Sequence, residues 1–149
     1  MTQYAEAMGE ALAQARMARS AGDVPVGAVV LDAHGEVIGR GRNLRERDAD
    51  PLAHAEIVAM REAAAVRGNW NLADCTLVVT LEPCPMCAGG IINSRIPTVV
   101  FGAKDENTGS CGSVINLFEE RYGHKPAIYG GVRAEESAQL LKAFFKKTR

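Results

Sequence analysis

The sequence predicts a three-layer α/β/α domain around a central mixed sheet of five strands. Three observations predict it. A Val-rich run, Val24–Leu31, and a second run, Val37–Asn43, flank a turn at Ala33-His34-Gly35-Glu36, which is the pattern of a strand hairpin. Downstream, strand and helix patterns alternate, as in a sheet covered by helices. The 149 residues contain no internal repeat, low-complexity stretch or linker, so a single core is expected.

Each element has its own signal. From Tyr4 to Ala21, Met8, Leu12, Ala15 and Ala18 recur at helical spacing, and Gly22 and Asp23 end the run. Val24–Leu31 is continuously apolar, which predicts a strand buried on both faces. Ala53–Val66 reads as a helix after the break at Pro51. Thr76–Leu81, with Leu77-Val78-Val79, is a buried strand, and Cys84 or Pro85 to Ser94 a short helix. Thr98–Phe101 is a strand, Gly102–Ser113 a glycine-rich loop, and Ala127–Gly130 the last strand. Ala134–Lys147 is an amphipathic helix with Leu140, Leu141, Phe144 and Phe145. The strands from Thr76 and from Thr98 should be parallel, because a helix crosses between them.

Composition narrows the function classes. Hydrophobic residues are 47% and charged residues 23%, an ordinary globular mix that excludes disordered, collagenous and coiled-coil chains. A net charge of -1 argues against a protein that grips nucleic acid over its whole surface. Two local basic runs stand out: Arg40, Arg42, Arg45 and Arg47, and Lys142, Lys146, Lys147 and Arg149. On its own, each reads first as a solvated face. No stretch approaches the ~18 apolar residues of a membrane span, and Met1-Thr2-Gln3-Tyr4-Ala5-Glu6 is not a secretory signal, so a cytoplasmic location with no membrane partner is expected. There, Cys75, Cys84, Cys87 and Cys111 suggest metal or catalysis before disulfides.

Two motifs carry chemistry: His54-Ala55-Glu56 and Pro83-Cys84-Pro85-Met86-Cys87. Each opens a helix just past a loop or strand end, where α/β sheets bind ligands. Cys84 and Cys87 share a helix face, and a helix N-terminus favours their thiolates. They supply two zinc ligands, and His54 is the best third, leaving an open position for water. Two thiolates cancel the charge of Zn²⁺, so this site should acidify water less than a site of three neutral His, where the water pKa is ~7. A nearby base would help, and Glu56 can be that base. On a regular helix, side chains two residues apart diverge by roughly 200°. Convergence therefore requires an irregular first turn, with Glu56 in the pocket and not on the metal. Three other readings stay open on the residues alone. They are a thioredoxin-like redox pair, a structural zinc held by all four cysteines, and a non-catalytic RNA-binding or scaffold protein that keeps zinc for folding.

Together, His-x-Glu followed by Pro-Cys-x-x-Cys is the zinc nucleobase deaminase pattern. The chain resembles the bacterial tRNA-specific adenosine deaminase family, within the cytidine-deaminase-like superfamily. The resemblance runs from Val24-Pro25-Val26-Gly27-Ala28-Val29 through Val79–Gly89, Ser94-Arg95-Ile96 and Val100–Asp105 to Leu140–Lys146. It implies that residues 1–149 form a single CMP/dCMP-type zinc deaminase domain of cytidine-deaminase-like fold. It implies one Zn²⁺ per subunit on His54, Cys84 and Cys87, with Glu56 as the proton shuttle. It also implies substrate contacts at Asn43, Asp105 and Phe145, and a homodimer acting on the tRNA anticodon stem-loop. The implied reaction converts adenosine to inosine at the wobble position (34), with deamination of free guanine or cytosine as the alternative. Asn43 could read an adenine edge as both donor and acceptor. One of Phe144 and Phe145 should be core. The family's Asn before His124 is replaced by Gly123.

Overall fold

A computed structural model describes residues 2–147, so Met1, Thr148 and Arg149 of the basic terminus lie outside the described residues. Five strands form one sheet in the order β2-β1-β3-β4-β5. They are β1 (Gly27–Leu31), β2 (Val37–Arg42), β3 (Thr76–Leu81), β4 (Thr98–Ala103) and β5 (Ala127–Tyr129). β1 pairs antiparallel with β2 and β3, while β3–β4 and β4–β5 are parallel. The sheet is therefore mixed, as expected, with β2 and β5 at its edges.

The period-2 geometry of strands divides the core in two. Ala28, Val30, Leu77, Val79, Val99 and Phe101 face one side. There they meet α3 (Ala55–Arg67) and α4 (Pro85–Ser94). Val29, Leu31, Val78 and Val100 face the other side, against Met8, Ala11 and Leu12 of α1 (Thr2–Ser20) and Leu140 of α5 (Ala134–Lys147). Every residue of β1 is buried, the pattern its continuous apolar run predicts.

The boundaries differ where tertiary contacts decide them. β1 starts at Gly27, not Val24: the Gly27 N–H goes to the Thr80 hydroxyl at 3.1 Å, and Pro25 has no N–H to offer a ladder. β2 ends at Arg42, one residue before Asn43, β4 runs on to Ala103 and β5 stops at Tyr129. Two short elements were not expected: α2 (Arg45–Asp48) and a 3₁₀ turn at Leu117–Glu119. Leu44 gives α2 no side-chain cap. Its N–H groups are taken instead by Asn43 Oδ1, from Arg45 at 3.0 Å, and by the Asp23 carboxylate, from Glu46 at 2.8 Å and Arg47 at 3.2 Å.

The contact that places the site is between α3 and β2. Ala55, Ala59 and Ala63 recur every four residues and are fully buried. They lie on Gly39 and Gly41, where a Cβ would overlap the carbonyl oxygens of Ala59 and Ala55. On the outer edge of β2, the Arg40 N–H is held by the Glu62 carboxylate of α3 at 3.2 Å, and Arg40 also pairs with Glu10 at 3.3 Å. No helix among the described residues is long and apolar enough to cross a membrane.

The close approach makes a direct prediction. Gly41→Ala forces α3 away from β2 and lowers the free energy of unfolding by about 1–3 kcal/mol. Urea unfolding followed by circular dichroism measures it, and an unchanged midpoint would refute the packing described.

Candidate active site

Two helix N-termini meet at one point. His54 caps α3 in an extended conformation (φ -71°, ψ 154°), and Cys84 caps α4 in another (φ -78°, ψ 175°). Pro85 follows Cys84 at the start of α4, where its fixed φ suits a helix and its missing N–H costs nothing. Neither capping side chain bonds its own helix, so both are turned to each other. His54 Nδ1 lies 3.5 Å from the Sγ of Cys84 and 3.5 Å from the Sγ of Cys87. All three donor atoms lie within 4.8 Å of one another.

The donor set fits zinc: two sulfurs and one imidazole nitrogen, with His54 and Cys84 also lining an open pocket that leaves room for a fourth ligand. The electrostatics favour a thiolate at Cys84, with the Cys87 thiol as its hydrogen-bond donor. The Cys84 thiol is pulled down to about 4, chiefly by the hydrogen bond from Cys87 and then, against the cost of burial, by His54. Cys87 moves up, because it donates that bond and is buried. His54 moves up through its hydrogen bond with Cys84, which outweighs burial.

Glu56 is the second residue of α3 and only 4% exposed. It stands beside the three donors, within hydrogen-bonding reach of Cys87, and also lines the pocket. The divergence of roughly 200° expected on a regular helix does not arise, because His54 is extended and precedes the first helical residue. Burial pushes the Glu56 carboxyl up to about 7, against the opposing effects of its own backbone N–H and of His54.

The pocket has a volume of about 530 Å³. Asn43, Asp105 and Phe145 all line it. The Asn43 side-chain oxygen accepts the Arg45 N–H at 3.0 Å, which engages the acceptor end of its amide. Asp105 folds on its own turn, accepting from Asn107 N–H at 2.9 Å, Thr108 N–H at 3.2 Å and the Thr108 hydroxyl at 2.9 Å. Phe145 is 47% exposed and packs edge-on against a half-buried Phe144, with centroids 5.4 Å apart. Neither ring is core, contrary to expectation, because the end of α5 borders the pocket.

Cys75 and Cys111 lie outside the donor cluster and are buried, which removes the four-cysteine alternative. Arg45 and Lys104 also line the pocket, and no motif in the sequence marks either of them. Arg45 belongs to a basic run that reads first as a solvated face, and Lys104 has no distinguishing spacing. His124, in the divergent loop, bonds the Ile96 carbonyl at 2.7 Å.

Residues 1–103 match the family model of the cytidine and deoxycytidylate deaminase zinc-binding region. A Bacillus subtilis tRNA-specific adenosine deaminase is 46% identical over 150 residues, covering 100% of this chain and 92% of that one. The chain belongs to the tRNA-specific adenosine deaminase family. It is thus a member of a family of zinc-dependent hydrolytic deaminases, and its metal is zinc. A solved structure from work on A-to-I editing by tRNA:A34 deaminases superposes with a TM-score of 0.88 at 39% identity, covering 91% of this chain and 99% of that one. A Deinococcus radiodurans tRNA(Ile)-lysidine synthase is 52% identical over 143 residues, or 96% of this chain. The chain spans only 25% of that protein's length.

Replacing one donor tests the metal assignment. Cys87→Ala is expected to lose zinc in native mass spectrometry and to unfold at a lower temperature than the zinc-loaded chain, since metal binding adds to folding free energy. Full zinc occupancy in the variant would remove Cys87 from the site.

Proposed function

We propose that this chain hydrolyses the exocyclic amine of adenosine at the wobble position (34) of the tRNA anticodon, giving inosine and ammonia. One observation carries this reading. A buried, partly protonatable Glu56 sits beside three zinc donors in a pocket that Arg45, Lys104 and Phe145 also line. Zinc held by His54, Cys84 and Cys87 supplies a Lewis acid that makes water nucleophilic near neutral pH. Glu56 accepts a proton from the attacking water and delivers it to N1 of adenine as the oxygen adds to C6. It then carries the remaining hydroxyl proton to the departing amine. Burial favours the protonated form of this carboxyl, which suits a group that takes and returns a proton. Asn43 donates from its –NH₂ group to an acceptor on the turned-out nucleoside, whose extraction from the loop exposes its edge. Arg45 and Lys104 hold phosphates, and Phe145 offers a ring on which a neighbouring base stacks. Asp105 shapes the wall beside the nucleoside.

The same reading makes residues 1–149 one catalytic domain in the cytoplasm, with the anticodon stem-loop as its RNA partner. It makes the chain a homodimer through α4. That helix buries Cys87, Ala88, Ile91 and Ile92 inward, while Gly89 on it has open space around it. Exposed Val114 and Ile115 add apolar surface. Sedimentation at micromolar concentration is expected to give a dimer; a monomer would refute the pairing.

Glu56→Ala should keep zinc and stem-loop affinity while turnover falls by about 10²–10⁴-fold. The assay follows inosine in an anticodon stem-loop with adenosine at the wobble position, beside free adenine, guanine and cytosine. Undiminished turnover in the variant would end the shuttle role, and ammonia from a free base alone would end the RNA reading.

A further inference from the structure

Glu82 is the residue between β3 and the Pro83-Cys84 motif, and it is only 2% exposed. It has no cationic partner among the described residues. Burying an ionised carboxylate is costly unless hydrogen bonds replace the lost water. Here four donors do so, and all come from one stretch. Oε1 accepts the Asp105 N–H at 3.1 Å and the Ser113 hydroxyl at 2.5 Å. Oε2 accepts the Cys111 N–H at 3.0 Å and the Ser113 N–H at 3.0 Å. A carboxylate has about four acceptor sites, so this one is filled, and although Glu82 borders the pocket it has no acceptor left for a substrate.

The bonded stretch is the Lys104–Ser113 loop, which contains no helix or strand of its own. Its N-terminal half is pocket wall through Lys104, Asp105 and Thr108. A second tie runs from the Ser110 N–H to the Pro83 carbonyl at 2.9 Å, and a third from the Glu82 N–H to the Ala103 carbonyl at 2.9 Å. Gly109 lies so close that a Cβ there would overlap the carboxylate. One wall of the pocket is thus fastened to the peptide that carries a zinc ligand.

We propose that Glu82 is a positioning residue. Its carboxylate holds the Lys104–Ser113 loop in register with Cys84, and so sets how tightly the pocket binds its nucleotide without moving any proton. This rests on the reading of the pocket as a nucleotide site. Glu82→Gln is the sharp test, because the amide keeps the shape but turns an –NH₂ toward N–H donors. Ser113→Ala is the milder one, removing a single bond.

Three readouts are taken on the zinc-loaded full chain: zinc per chain, kinetics on the wobble-adenosine stem-loop, and amide exchange of the loop without RNA. For Glu82→Gln, zinc is retained, KM rises by about tenfold or more while kcat stays within about threefold, and exchange in 104–113 accelerates. Ser113→Ala moves KM and exchange the same way by about threefold. A fall in kcat at unchanged KM, or wild-type exchange in the loop, overturns the proposal. If Glu82→Gln loses zinc, Ser113→Ala decides: raised KM supports it, and wild-type KM overturns it. Wild-type protein inactive on the stem-loop would instead sink the substrate reading. Loop exchange in the two variants would then decide the role of Glu82 alone, acceleration supporting it and wild-type rates overturning it.

Discussion

The alanine stripe of α3 lies on two glycines of β2 so closely that neither glycine has room for a side chain. A helix packed through small residues on bare backbone is held at a fixed depth, because close-packed interiors leave no slack to absorb a shift. Depth matters here because the first residue before that helix is His54, and its partner sulfurs sit on a different helix that enters from β3. Three donor atoms within 4.8 Å leave little tolerance for displacement of α3. The two helix dipoles add to this geometry, since both positive ends favour anionic sulfur at the same place. The backbone contact far from the chemistry is thus what brings the chemistry together.

Much of this was legible in the sequence. The continuous apolar run of β1, the Leu77-Val78-Val79 core of β3 and the helix between the parallel pair all announced themselves locally. So did the three zinc donors, because two motifs at helix starts left few other arrangements. What stayed hidden was settled by groups distant in the chain. Helix α2 exists because Asp23, twenty-three residues before Glu46, takes two of its N–H groups. Nothing within Arg45–Asp48 advertises that. Gly39 and Gly41 read as glycines in a strand, and only the neighbouring helix explains them. Glu82 has no local signal, since its four donors lie at least 23 residues downstream.

Three buried carboxyl groups show how environment divides labour among identical side chains. Asp23 accepts two N–H groups at the start of α2, and Glu82 accepts three N–H groups from the Lys104–Ser113 loop. For Glu82, burial raises the carboxyl but the bonds from Ser113, Asp105 and Cys111 outweigh it, and the group ends below its ordinary value. Glu56 is buried as deeply but has few donors, and it is pushed up to about 7. Environments that drive like groups apart in this way separate those that hold structure from those that can exchange protons.

The treatment of the sheet edges has a consequence for how copies of the chain behave at high concentration. An exposed edge strand invites pairing with another chain and, in time, fibrous aggregation. On β2 the Arg40 N–H is already claimed by Glu62, and the Gly-Arg-Gly-Arg sequence places charge along the rim. The opposite edge, β5, is three residues long. Both borders are poor templates for strand addition. Self-association is therefore steered toward the helical layers, and a crowded solution of this protein should assemble through helix faces before its sheets can join.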